Sequence, residues 1–241
     1  MIKIVFPIFL IVCWQVTATI LNVHYFPTIE QIAASFVKTW TTSNEIEMDV
    51  IASLSRLAIG LSISIPFSIA LGTLIGLNKK IKGLLIGSIN CLRAMPITAL
   101  TPLITMIFGI TEAAAIFIVF LVSAVPTLVV TIDSVEQTID KYRPLIRNFE
   151  LTWPSAFAKV ILPGSMPSII SGIDISINSA FKTLILAELL GSASGLGYRL
   201  IDSSHYLDFD KTYYLLLVIG FLGLSIATLT SFTRKKILSW T

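Results

Sequence analysis

Six runs of about twenty predominantly apolar residues divide this chain, and no other feature restricts its folding as much. They are Ile4–Val23, Ile51–Leu77, Leu84–Phe108, Ala113–Ile132, Ser168–Leu190 and Thr212–Phe232. A helix needs about 20 such residues to cross the hydrocarbon of a bilayer. In that medium every backbone N–H and C=O must be satisfied internally, so only helices and closed barrels span it. Barrel strands alternate polar and apolar residues, and these runs do not. The expected fold is all-α and polytopic, a single transmembrane domain over residues 1–241 with about six transmembrane helices. Charged residues make up 13% of the chain, against about 25% in soluble domains. The lipid bilayer is therefore an expected partner and nucleic acid is not.

The first run follows Lys3, as a signal peptide would, but Thr17-Ala18-Thr19 is a poor small-x-small exit and Val12 is too bulky before Cys13. A retained helix is expected. Cys13 and Cys91 both lie inside apolar runs and point to neither a disulfide framework nor a metal site.

Placing the N-terminus in the cytoplasm puts eleven of the seventeen Lys and Arg residues inside: Lys3, Lys79, Lys80, Lys82, Lys141, Arg143, Arg147, Lys159, Arg234, Lys235 and Lys236. Only Lys38, Arg199 and Lys211 fall outside, and Arg56, Arg93 and Lys182 lie within runs. Basic residues favour the cytoplasmic side. A multi-pass cell (inner) membrane protein with both termini cytoplasmic is expected. The outer segments lean acidic through Glu30, Glu45, Glu47, Asp49, Asp202, Asp208 and Asp210. Singly these are solvated loop residues; together they are candidates for docking an external protein.

Gly60, Ser64, Ser68, Gly72 and Gly76 recur every four residues. Such a stripe lets another helix approach closely, within one bundle or across a dimer. Pro66, Pro96, Pro102 and Pro126 interrupt the second, third and fourth runs. In the fifth, Ser171, Asp174, Asn178 and Lys182 are spaced to share a helical face. A mid-bilayer charge costs roughly 2.5–3.5 kcal/mol on insertion scales and so faces protein or water. Arg93, Asp174, Asn178, Lys182 and Glu188 are the candidate translocation-pathway residues. An internal neutralising network, or snorkelling from the ends, is the competing reading.

The longest polar interval, Asp133–Pro163, is amphipathic, with Ile139, Leu145, Ile146, Phe149, Trp153, Phe157, Val160 and Ile161 between its charges. Pro144 and Pro154 predict two or three short helices there. Such a segment can lie on the bilayer surface or fill a groove on a partner, and the residues alone leave both open.

Several pieces of the chain, in order from about Pro27 to Trp240, resemble one family. Ser53-Leu54-Ser55-Arg56-Leu57 with Gly60 is similar to S-L-x-R-V/L-x-x-G; Leu71-Gly72 and Ile75-Gly76-Leu77 match the end of the same span. Arg93-Ala94-Met95-Pro96, Pro102-Leu103 and Phe108-Gly109 resemble R-x-x-P…P-L…F-G. Ile161-Leu162-Pro163 with Pro167 resembles L-P-x-x-x-P, and Ala187-Glu188-Leu189-Leu190-Gly191 with Ser194-Gly195-Leu196-Gly197-Tyr198 resembles A-E-L-L-G…S-G-L-G-Y. The family is the permease subunit of ATP-binding-cassette (ABC) importers, in the nitrate, sulfonate, taurine and bicarbonate branch.

The resemblance implies a type I importer transmembrane fold and a pathway for a small solute, an anion such as a sulfonate, nitrate or bicarbonate. It implies a homodimer, a dimer of ATP-binding subunits and an extracytoplasmic solute-binding protein as partners. It makes residues 133–167 a coupling loop, with Arg147, Phe149, Glu150, Leu151, Thr152, Trp153 and Ser155 meeting the ATP-binding subunit. The chain departs from the family pattern at two places. Pro144-Leu145-Ile146 stands where E-A-A is usual, and Glu150 stands at a glycine position thirteen residues before the L-P proline.

No G-x-x-x-x-G-K-[ST] phosphate loop, G-x-S-x-G elbow or H-E-x-x-H pair occurs. No catalytic residue, metal site or cofactor is expected on this chain, and ATP and Mg belong to the partner. The alternative is a secondary transporter or channel using Asp174, Lys182 and Glu188 as ion-coupling groups. It would be favoured by inverted repeats, and no convincing repeat is seen.

Overall fold

The computed structural model describes residues 2–42 and 44–238. Its helices are α1 (Ile2–Leu21), α2 (Ile29–Thr42), α3 (Glu45–Leu77), α4 (Lys79–Ala94), α5 (Thr101–Phe108), α6 (Glu112–Asn148), α7 (Trp153–Ala156), α8 (Leu162–Gly191), α9 (Leu196–His205) and α10 (Phe209–Ile237). A 3-10 turn, Ile97–Leu100, leads into α5, and a π-helical turn, Phe157–Ile161, joins α7 to α8. No strand occurs among the described residues.

Four stretches are long and apolar enough to cross a membrane: Glu45–Leu77, Glu112–Asn148, Trp153–Gly191 and Phe209–Ile237. α1 is apolar and 20 residues long, about 30 Å at 1.5 Å per residue. The expected third span, Leu84–Phe108, is not one rod: α4 and the Ile97–Phe108 segment meet at 79°. Pro96 causes the break, because a residue before proline is pushed out of the helical region. Met95 is accordingly extended, at ψ 133°.

α6 is the central helix. Just over half of its apolar stretch (56%) is buried, against 6% for α10 at the periphery. The glycine stripe of α3 faces it: a Cβ at Gly72 would lie 2.8 Å from Thr131 Cβ, and one at Gly76 2.8 Å from the Ile132 carbonyl. The stripe thus serves packing inside this chain, where contact must come from close backbone approach because lipid supplies no hydrophobic drive. Ser64 and Ser123 share a buried hydrogen bond of 2.6 Å across the same seam. On its other side α6 meets α8, where Gly172 abuts Val130 and Thr127 pairs with Ser176 at 2.8 Å. Leu57, Val119, Val122, Ala180, Phe181, Leu184 and Leu196 close the core between these helices.

The polar interval after Ile132 differs from its expected form. α6 continues unbroken through Pro144 to Asn148. Proline removes one N–H and crowds the carbonyl four residues back, here that of Asp140, which is solvent-exposed and so left to water. The first half of the interval is a straight extension of the central helix, and the chain turns back only at Phe149–Thr152.

Candidate functional site

The turn after α6 is closed by a pair of backbone hydrogen bonds, Leu151 N–H to the Ile146 carbonyl (3.1 Å) and Glu150 N–H to the Arg147 carbonyl (3.2 Å). These are the two bonds of a Schellman cap. The residue at its tip must be left-handed, and Glu150 has φ 47°. A left-handed backbone of the kind glycine adopts freely is therefore held here by a glutamate, at a cost of roughly 1–2 kcal/mol for an L side chain. Glu150→Gly is expected to preserve the turn and stabilise it by up to about 1 kcal/mol, whereas β-branched Glu150→Val should destabilise it. Thermal unfolding of the two variants in detergent checks this ordering.

Beyond the cap, Arg147, Phe149, Glu150, Thr152 and Trp153 are exposed and Leu151 and Ser155 half-buried. Phe149 is 71% and Trp153 56% exposed, while Ala156 and Ile161 beneath them are fully buried. Pro163 cannot donate into the helix, and the chain accommodates it with the π turn, in which Leu162 N–H reaches back to the Phe157 carbonyl. One turn on, Gly164 lies against Thr138 and Tyr142 of the α6 extension. Two aromatic side chains are thus displayed on a base anchored to the central helix. The seven residues expected at the coupling loop run from the last turn of α6 through Phe149–Thr152 into α7.

The five expected pathway residues do not come together. Lys182 is exposed on a face of α8 that neither α6 nor α10 covers, with exposed Ser168, Ile175 and Leu186 and half-buried Ser171, Asn178 and Ser179. Among the described residues no carboxylate forms an ion pair with it. Asp174 points elsewhere: it pairs with Arg234 of α10 at 3.3 Å and accepts a hydrogen bond from Asn178. Arg93 is exposed on the last turn of α4, just before the bend.

Glu188 lies in a buried network at the α9 end of the bundle. Its side chain is 0% exposed and pairs with Arg56 at 2.7 Å. It also accepts hydrogen bonds from the Ser53 hydroxyl and the Gly197 N–H. Arg56, itself 2% exposed, forks onto Glu112 of α6 and donates to the Ser194 carbonyl and hydroxyl. Alongside, Asp49 accepts from Gly195 N–H and from Arg199, which also reaches Glu45. Burial works against the Arg199 charge. Hydrogen bonding to Asp49, with Glu45 and Asp202 nearby, nevertheless holds its guanidinium above the ordinary range. From sequence, Arg56 had no assigned role and Glu188 was placed in the pathway; the signal that could have drawn them together is that an arginine inside a span requires a partner. Nothing in the spacing joined two residues so far apart in sequence.

Comparison with known proteins identifies the family. A permease protein of Bacillus subtilis (strain 168) named for aliphatic sulfonates transport, SsuC, is 28% identical over 236 residues, covering 97% of this chain and 85% of that one. An ABC transporter permease protein of Brucella melitensis biotype 1 is 32% identical over 195 residues, 80% of this chain and 78% of its own. The nitrate import permease protein NrtB of Synechococcus elongatus is 26% identical over 243 residues, covering 96% and 87%. Among solved structures, an amino acid ABC transporter superposes with a TM-score of 0.69 at 18% identity over 84% of this chain and 97% of the other. The inward-facing MetNI methionine ABC transporter gives 0.66 at 16% identity over 81% and 95%; both likenesses concern the fold. Residues 64–237, more than half of the chain, match the family described as "Binding-protein-dependent transport system inner membrane component", and the chain belongs to that family.

Proposed function

We propose that this chain, as the transmembrane permease subunit of an ABC importer, carries a small anion such as a sulfonate, nitrate or bicarbonate. The anion is delivered by an extracytoplasmic binding protein, and import is driven by ATP-binding subunits seated on the Phe149–Trp153 turn. Two copies of the chain form the pathway, each presenting its open α8 face to the other. ATP and its Mg stay on the partner, since this chain has no phosphate loop. The protein sits in the cell membrane with both termini cytoplasmic. The basic inside segments support that orientation, as does the Asp174–Arg234 pair, which sets the last turns of α10 beside the first half of α8.

The observation that carries the reading is Lys182, a cation exposed on an uncovered face of a membrane helix where Ser168, Ser171, Asn178 and Ser179 are interspersed with Ile175 and Leu186. Such a charge must meet water, protein or a counter-ion, and relatives named for nitrate, sulfonates and bicarbonate handle anions. Within this chain Lys182 supplies charge to the passing anion, and Asn178 and Ser179 supply neutral polar contacts beside it. An ion-coupled mechanism would need Asp174 and Glu188 free to titrate, yet both are ion-paired.

The test uses the complete complex in liposomes, with binding protein outside, and measures uptake of labelled nitrate and methanesulfonate. A charge-assisted contact is worth about 1.5–3 kcal/mol. Lys182→Met should therefore lower uptake of the transported anion roughly tenfold or more, with Lys182→Arg retaining much of it. Undiminished anion uptake by Lys182→Met would overturn the assignment.

A further inference from the structure

α4 is weakly held by apolar contact. Of its described side chains only Ile89 is buried, packed with Ile75, Val129 and Ile132, while Leu84 is 81% exposed. Its position against α6 rests on charge. Lys82 Nζ donates to Asp133 Oδ1 at 3.0 Å and to Glu136 Oε2 at 2.5 Å, and Lys79 Nζ donates to both Asp140 oxygens at 3.2 Å. The three carboxylates are spaced three and four apart, so they form one row on the α6 extension. The helix dipole disfavours lysine in a first turn; the acid row compensates it here. Lys82 is 19% exposed, whereas Lys79 is 61% exposed, so Lys82 is the better shielded of the two ties.

The same α6 extension ends at the Phe149–Trp153 turn. At its other end α4 bends into α5, whose Ile104 packs with Ile118 of α6 and Ala187 of α8; Thr105 lies against Gly191 at the end of α8. The α4–α5 unit therefore spans from the Asp133–Asp140 row of the α6 extension to the far end of the helix that bears Lys182.

We propose that Lys82 is a positioning residue that makes the bent α4–α5 unit follow the α6 extension, so that displacement at the turn reaches Arg93 and the far end of α8. This rests on the reading that the turn receives an ATP-driven partner. Without that tie, α4 keeps one buried side chain and one exposed ion pair, and the partner's stroke is spent without moving it.

The experiment uses the complete permease–ATP-binding-subunit complex in nanodiscs, with Cys13→Ser and a spin label on Cys91, which is exposed on α4. Label mobility and oxygen accessibility are compared between nucleotide-free and ATP–vanadate states. A parallel label on Ala158→Cys reports the turn. In the parent both labels respond. In Lys82→Met the Cys91 response falls to less than half, the Ala158 response persists, and ATP hydrolysis stays within twofold. Lys82→Arg, and the exchange Lys82→Glu with Glu136→Lys, restore the Cys91 response. A full Cys91 response in Lys82→Met overturns the proposal. So does a parallel loss of both responses and of hydrolysis that neither Arg nor the exchange restores, which would make Lys82 a fold residue only. If neither label responds to nucleotide in the parent, the failure lies in the ATP-driven reading itself.

Discussion

Arg56→Met is expected to cost about 3–5 kcal/mol, the range found when one partner of a buried ion pair is removed and the other is left in place. The Glu188 side chain is 0% exposed and would keep only Ser53 and Gly197 as donors. The Ser192–Gly197 segment would lose the guanidinium that holds the Ser194 carbonyl and hydroxyl. For a chain of this size the loss corresponds to a drop of roughly 6–20 °C in the unfolding midpoint, measurable in detergent by an intrinsic-fluorescence melt. Arg56→Met combined with Glu188→Gln should recover most of it. Gln keeps an acceptor for Ser53 and Gly197 and offers a donor to the freed Ser194 carbonyl, and no unpaired charge remains buried. Glu112→Gln should cost under about 1 kcal/mol: its side chain is 64% exposed, and exposed pairs are screened by solvent. If Glu112→Gln proved as damaging as Arg56→Met, the network would not be organised around the buried pair.

Trp153→Ala is expected to remove transport without removing the fold. A large aromatic anchor at the centre of an interface is worth about 2 kcal/mol or more on truncation, close to a 30-fold loss in partner affinity. The side chain is 56% exposed in the free chain, so its own unfolding midpoint should move by no more than about 0.5 kcal/mol equivalent. Phe149→Ala should behave alike, at 71% exposure. Ala156, fully buried below them, should do the opposite. Ala156→Leu forces extra volume into a closed site, a change that costs about 1–3 kcal/mol, and would lower stability and transport together. ATP-driven uptake and unfolding midpoint measured on the same preparations separate the two outcomes.

The apolar runs carried most of the fold. Their length and missing alternation required membrane helices, and α3, α6, α8 and α10 occupy those runs. Less legible were features set by contacts between distant residues. Pro96 and Pro144 are both prolines within apolar or amphipathic segments, yet one breaks its helix at 79° and the other is passed through. The difference lies in surroundings: the α6 extension is wet and tied by ion pairs, so the missing hydrogen bond at Pro144 falls to solvent. The glycine stripe announced close approach but not its partner; only the fold shows Val119, Thr131 and Ile132 opposite it. At the turn, the unexpected Glu150 gave no sign that its backbone would still be left-handed, because the cap is enforced by two hydrogen bonds rather than by residue preference. Shared helical spacing grouped Asp174 with Lys182, but α10 supplies Arg234 and draws the acid aside.

The most direct measurement of the central claim places a photo-crosslinking residue at position 153 and irradiates membranes containing the complete system. An adduct between this chain and the ATP-binding subunit, lost when Phe149→Ala is added, is the expected result. An adduct with lipid alone, with the subunit present and hydrolysing ATP, would contradict a partner-facing turn and return this segment to the bilayer surface.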